Sequence, residues 1–358
     1  MTVFLVAALS SLSCLLLYLA GETSMMKRQL AGLVFGLVIL AVVAMIDYHY
    51  LSRWTLILYI GIVFLLVLVK FSPLGEDQTT GAYRWLNLGI VNLQVSELAK
   101  VVLIIVLAAY LEKHRREMNK WSVFLKGILI AAVPTLLIMI QTDLSSSMVM
   151  MFIFIAMFFA AGLSYKIILT TAGITIPGFL GLLWYVQQPY QSFLTKKQQE
   201  RILGFLNPEK YAQTYMYQQL KSVNAISAGG TMGKLITQGT TGKRLYSGVY
   251  VHESDFIFSI IGEELGFIGS VIVIAMLSVI IFQCLKTARK AKDFLGSMMA
   301  LGVSSMLMFQ VFVNIGVATS LIPNTGLPLP FLSYGLSSLV AGMIAIGIVS
   351  NVGLQRAR

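Results

Sequence analysis

The chain has 358 residues, of which 57% are hydrophobic and only 11% charged, with a formal net charge of +11 and a mean hydropathy of +0.82. Soluble domains carry roughly a quarter charged residues, so this composition excludes a water-soluble globule. The two cysteines, Cys14 and Cys284, both fall in apolar runs and imply neither a disulfide nor a metal framework.

From the N-terminus, ten apolar runs are long enough to cross a bilayer, which takes about 20 residues at helical rise. They lie near 3–20, 29–46, 53–70, 95–111, 122–141, 145–162, 166–187, 256–285, 297–320 and 335–354. None alternates polar and apolar residues, so the backbone closes its hydrogen bonds within helices rather than strands. The expected fold is all-α, a polytopic bundle of about ten transmembrane helices. The first run lacks a basic leader and no soluble stretch follows it, so it is expected to stay as a helix rather than act as a secretory signal. With the N-terminus in the cytoplasm, the short inner loops hold Arg53, the Lys113/Arg115/Arg116/Lys120 cluster, Lys166, Lys286/Arg289/Lys290/Lys292 and Arg356/Arg358, as the positive-inside rule requires. Lys27 and Arg28 run against it, since they fall outside. The basic balance reads as topology and attraction to anionic lipid, not to nucleic acid.

Four unusual polar segments fall on the outer side. The first, about 71–94, contains Gly81-Ala-Tyr-Arg-Trp85. Arg84 and Trp85 suit either interface anchoring or a cation and an aromatic platform for a phosphorylated sugar. This segment leads into Gln94-Val-Ser-Glu-Leu-Ala-Lys100, where Glu97 and Lys100 share one helix face. Charges at that depth are either a structural pair or functional, and Lys100 has a second candidate partner in Asp143. The second outer segment contains Gln141-Thr-Asp143. The third, about 188–255, is a large insert lying on the bundle, with a helix-like stretch Tyr211–Ala228 in which Tyr215, Leu220, Val223 and Ile226 share a face. Its glycine-rich tract from Gly229 to Gly248 is no phosphate loop. Ala228 and Thr237 stand where that motif needs glycine, and neither Lys234 nor Lys243 is followed by Ser or Thr. The fourth contains Pro323-Asn-Thr-Gly-Leu-Pro-Leu-Pro-Phe-Leu-Ser-Tyr-Gly335.

Where the insert meets the eighth run, Asp255 sits at the seam of water and lipid. An acid at a first helical turn caps the helix and favours its dipole. The same carboxylate suits a general base, because a low-dielectric wall raises its ordinary pKa of ~4. The two roles are compatible. His252, Glu253 and Asp255 form no recognised metal-ligand spacing. Glu263 and Glu264 lie about two turns further on, one of them expected to face the bundle interior, and Asp47 is expected at a solvated inner end.

These segments, in this order, resemble the SEDS family (shape, elongation, division and sporulation proteins, among them RodA, FtsW and SpoVE). Gly81-Ala-Tyr-Arg-Trp85 with Gln94-Val-Ser-Glu-Leu-Ala-Lys100 is similar to the family's G-x-x-R-W and Q-P-S-E-x-x-K elements. Gln141-Thr-Asp-Leu144 is similar to Q-P-D-L, and Glu253-Ser-Asp-Phe-Ile-Phe-Ser-Ile-Ile-Gly-Glu-Glu-Leu-Gly266 to H-T-D-F-I-F-x-x-I-G-E-E-L-G. Gly326-Leu-Pro-Leu-Pro-Phe-Leu-Ser-Tyr-Gly-Leu-Ser-Ser338 is similar to G-x-P-L-P-F-x-S-Y-G-G-S-S. Val95 and Thr142 replace prolines, Glu253-Ser254 replaces His-Thr, and Leu336 replaces a glycine that bears on packing of the last outer loop.

The resemblance implies a ten-helix peptidoglycan glycosyltransferase of the bacterial cytoplasmic membrane. Such enzymes polymerise lipid II at the outer face and work with a class B penicillin-binding protein that crosslinks. It puts Asp255 at the catalytic position, with Arg84, Trp85, Glu97, Lys100, Asp143 and Ser333 shaping the site. The 4-hydroxyl of an acceptor GlcNAc would lose its proton to Asp255 while attacking C1 of a MurNAc carrying a lipid pyrophosphate. An α-linked donor giving a β-linked product needs only one in-line displacement. The leaving pyrophosphate needs positive charge, for which Arg84, Lys100, Lys243 and Arg244 are candidates. A divalent cation (Mg or Mn) is the alternative source, although no D-x-D pair is present. The rival reading is a lipid II flippase or another lipid-substrate transporter. It fits less well, because the polar motifs do not repeat in the two halves and gather on one side.

Overall fold

The structure, a computed structural model, describes residues 1–72, 75–76, 84–87, 89, 92–188, 191–192, 196–214 and 216–355. Gly81, Ala82 and Tyr83 of the first motif, Tyr215, Arg356 and Arg358 lie outside the described residues. The helices are α1 (Thr2–Leu19), α2 (Thr23–Met45), α3 (Tyr48–Arg53), α4 (Thr55–Phe71), α5 (Val95–Lys113), α6 (Trp121–Ile140) and α7 (Leu144–Ala160). They continue as α8 (Tyr165–Val186), α9 (Lys196–Leu206), α10 (Tyr217–Ala228), α11 (Lys234–Gln238), α12 (Ile257–Arg289), α13 (Phe294–Ala318) and α14 (Leu336–Gln355). Three short strands, β1 (Gly75–Glu76), β2 (Trp85–Asn87) and β3 (Asn92–Gln94), pair antiparallel in that order.

The ten expected spans correspond to α1, α2, α4, α5, α6, α7, α8, α12, α13 and α14. Seven of these are long and apolar enough to cross a membrane on length and composition alone. Two more, α4 and α7, are apolar but only 17 residues long. The tenth, α5, carries Glu97, Lys100, Glu112 and Lys113 along its 19 residues. The protein is a multi-pass helical membrane protein.

Lipid tails are as apolar as leucine, so close packing rather than hydrophobicity sorts the helices into centre and rim. The centre is α13 and α14, 72% and 67% buried over their most apolar stretches, together with α5. At the rim α8 is only 6% buried and is exposed nearly all round. Small residues let the backbones of α2 and α14 approach. Side chains at Gly32 and Gly36 would run into Leu336 and Met343, and one at Gly347 into Val43.

At the end of the bundle that carries the basic loops, Asp47 caps α3 by accepting from the His49 amide at 2.9 Å. The His49 ring bridges Asp47 at 2.7 Å and Asp293 at 2.8 Å, and Tyr48 donates to Asp293 at 2.9 Å. Asp293 in turn caps α13 through Gly296 at 2.7 Å. Asp47 is therefore a capping group in a polar lock, not simply a solvated end.

The opposite end carries the expected polar segments, with two local differences from the sequence reading. The helical stretch of the insert starts at Tyr217, because residues 211–214 form turns. The eighth span is broken at Gly266, whose φ of 68° and ψ of −166° lie outside the helical region. Backbone from the insert fills the break. The amides of Phe267 and Ile268 donate to the carbonyls of Gly230 and Thr231 at 2.9 and 3.2 Å. A side chain at Gly266 would strike the backbone of residues 231–233. That backbone conformation is essentially restricted to glycine and strains other residues by about 1–3 kcal/mol. Gly266→Ala is expected to lose at least this much stability, read as a lower melting temperature in detergent. A variant that melts like the parent would show that the insert does not depend on this interlock.

Candidate active site

Asp255 does not occupy the cap of α12. That position belongs to Phe256, which makes no side-chain capping bond, and Asp255 stands one residue earlier in a series of turns from Val251. The local backbone around Asp255 is held by other means as well. Three consecutive carbonyls are held from across the bundle. Glu253 accepts from the Tyr334 amide at 2.9 Å, Ser254 from the Ser333 hydroxyl at 2.5 Å, and Asp255 from the Asn314 amide group at 2.9 Å. Gly326 comes so close to the carboxylate that a side chain there would lie 3.1 Å from Oδ2 of Asp255. The last outer loop therefore wraps the aspartate, and Ser333 serves that loop twice by also accepting from the Leu329 amide at 2.7 Å.

The loop is anchored from behind by α1 and α2. Ser13 donates to the Leu332 carbonyl at 2.5 Å. Gln29 donates to the Ser333 carbonyl at 3.3 Å and accepts from the Gly335 amide at 3.4 Å. On its other side the Thr325 carbonyl accepts from Ser145 of α7, which joins the loop to the Asp143 region.

Asp143 caps α7, accepting from the Ser146 amide at 3.1 Å, and its second oxygen accepts from the Ser96 hydroxyl at 3.2 Å. Lys100 pairs with Glu97 at 2.7 Å, with side chains 0% and 3% exposed. The alternative pairing of Lys100 with Asp143 is not formed. Arg84 donates to the Thr142 carbonyl at 2.5 Å, and its buried Nε has no partner among the described residues. Trp85 lies in β2 opposite Gln94 of β3, and the Gln94 amide donates to Ser337 at the start of α14 at 2.9 Å. The first outer segment is thereby fixed to the helix that follows the last one.

The two glutamates of α12 are both buried, not one. Glu263 accepts from Lys234 at 2.5 Å and from the amides of Leu245 and Tyr246 at 2.7 and 2.8 Å. Glu264 takes a two-pronged pair from Arg244 at 2.7 and 3.1 Å and the Tyr246 hydroxyl at 2.9 Å. Burial first, and then the Glu264 charge, push the Tyr246 phenol above its ordinary pKa. The Glu264 hydrogen bond raises that of Arg244. Arg244 is therefore committed to holding the insert, whereas Lys243 is exposed. Sequence reasoning passed over Lys234, which it weighed only as a phosphate-loop lysine. It also passed over Asn314, one of two amides, with Gln310, late in an apolar run, whose polarity was the available signal.

Among the described residues, no three His, Cys, Asp or Glu side chains converge as a metal site. His252 Nδ1 faces the Val249 carbonyl at 2.8 Å and lies 3.7 Å from Glu253. These residues do not fit a dedicated divalent-cation site.

The sequence model of the family described as "Cell cycle protein", of the FtsW, RodA and SpoVE type, matches residues 1–358. The chain belongs to this family. It is 34% identical to stage V sporulation protein E of Bacillus subtilis, over 91% of this chain and 86% of that one. It is 33% identical to the peptidoglycan glycosyltransferase MrdB of Escherichia coli K12, over 94% and 87%. Among solved structures, a chain of a peptidoglycan synthase complex that coordinates polymerization and crosslinking superposes with a TM-score of 0.81 at 29% identity, covering 100% of this chain and 98% of that one. The rod shape determining protein RodA of Thermus thermophilus gives 0.72 at 25% identity, covering 100% and 97%. The resemblance read from the motifs thus extends over the whole chain, including its first two helices.

Proposed function

We propose that this FtsW/RodA/SpoVE-family protein is a peptidoglycan glycosyltransferase that polymerises lipid II at the outer face of the bacterial cytoplasmic membrane, with Asp255 as general base. The observation that carries the reading is the treatment of Asp255. A carboxylate at the mouth of a membrane helix has its backbone held at three consecutive carbonyls and a glycine against its side chain. Capping alone requires none of this.

In the proposed reaction Asp255 removes the proton from the acceptor 4-hydroxyl as that oxygen attacks C1 of the donor sugar. The bond from C1 to the lipid pyrophosphate breaks in line, with inversion, and the pyrophosphate leaves with its electron pair. Arg84, whose buried Nε has no partner among the described residues, and the exposed Lys243 are the candidate cations to meet developing negative charge. Lys100 has no exposed surface and acts only through its field. The family resemblance implies a class B penicillin-binding protein as crosslinking partner, and a similar chain in a complex that couples polymerization to crosslinking supports a crosslinking partner of some kind.

The test supplies purified protein in liposomes with fluorescent lipid II, with and without that partner, and resolves products on a gel. Glycan strands are expected. Movement of lipid II between leaflets without strand formation would favour the flippase reading instead.

A further inference from the structure

We infer that Asn314 is the positioning residue for Asp255. This rests on Asp255 being the base. Of the three groups that hold the carbonyls of residues 253–255, Tyr334 and Ser333 belong to the last outer loop, and only Asn314 comes from α13, the most buried spanning helix. Its amide nitrogen donates to two carbonyls at once, Asp255 at 2.9 Å and Leu327 at 2.7 Å. Two facing acceptors leave no choice about which end of the amide points at them, since a carbonyl oxygen would be repelled by both. Leu327 follows Gly326, the residue against the Asp255 carboxylate.

One side chain therefore fixes the segment that carries the base and the segment that packs on it, relative to each other and to the bundle core. The Asn314 oxygen is buried without a partner among the described residues, and Asn314 is 1% exposed. Placing an amide here leaves a polar atom unsatisfied in the core, which is unfavourable, so fold stability is a poor reason for it. Holding a reacting group is a better one, because a misplacement of about 1 Å can lower a rate by about 10²-fold.

Asn314→Leu keeps the size and removes both donors, and Asn314→Asp keeps the shape but turns an acceptor toward two carbonyls. Steady-state polymerisation of fluorescent lipid II is measured for both beside Asp255→Asn, together with melting temperature in detergent. The expected result is a fall in kcat of about 10–100-fold for each Asn314 variant. KM is expected within about threefold of the parent for both, and melting within about 5 °C for Asn314→Leu, whereas Asn314→Asp, which buries an acceptor against two carbonyls, is expected to melt lower. Parent-like kcat in Asn314→Leu, with Asp255→Asn inactive, would overturn this inference and leave the base standing. Full activity in Asp255→Asn would remove the base itself. A loss of kcat that merely tracks a loss of folded protein would make Asn314 structural and overturn the inference as well.

Discussion

Asp255→Asn is expected to lower lipid II polymerisation by about 10²–10⁴-fold, the usual contribution of a general base, while the protein folds and binds substrate as before. The substitution is nearly isosteric. It leaves the three carbonyl bonds of residues 253–255 in place, because those are made by backbone. What it removes is the ability to accept a proton from the acceptor hydroxyl. The loss should therefore fall on kcat and kcat/KM together, as for an interaction made only in the transition state. Glycan produced at the parent rate, with melting temperature unchanged, would sink the assignment. So would a loss confined to KM, which would make Asp255 a binding group.

The same residues show how far the sequence could be read. Ten apolar runs locate ten helices because a chain in lipid must close its backbone bonds locally, and local rules are legible in local sequence. Charged motifs at one end of those runs likewise mark the site, since buried charge in a membrane protein is rare without a reason. What the residues do to one another is not local. Glu263 meets Lys234 from 29 residues away, Arg84 reaches Thr142, and Asn314 reaches back to Asp255. No periodicity encodes such pairings. The break at Gly266 was hidden for the same cause, since glycine is ordinary in membrane helices and only the insert's backbone reveals why this one leaves the helix. Asp255 stands one residue before the cap position of α12, and what holds its backbone, Tyr334, Ser333 and Asn314, comes from segments about 60–80 residues away.

The Glu97–Lys100 pair is where stability and chemistry separate most clearly. Both side chains are buried and bonded at 2.7 Å. Glu97→Gln or Lys100→Met alone leaves one charge without its partner, a change that lowers stability by about 3–5 kcal/mol in buried pairs. Each single variant is expected to melt well below the parent. Exchanging both at once removes the charges together, and such replacements are often neutral or stabilising, so the double variant should regain most of the lost stability. Stability thus gives no reason for a pair of charges at this depth. The pair is net neutral, so in low dielectric it acts on an approaching anion only as an oriented dipole, on the same helix as Ser96, which donates to Asp143. The double variant is therefore expected to be stable but at least about 10-fold slower in polymerisation, as for lost electrostatic stabilisation of a leaving group. If it proves both stable and fully active, Glu97 and Lys100 are no more than a replaceable brace for the first turn of α5, and the positive charge for the pyrophosphate must come from Arg84 and Lys243.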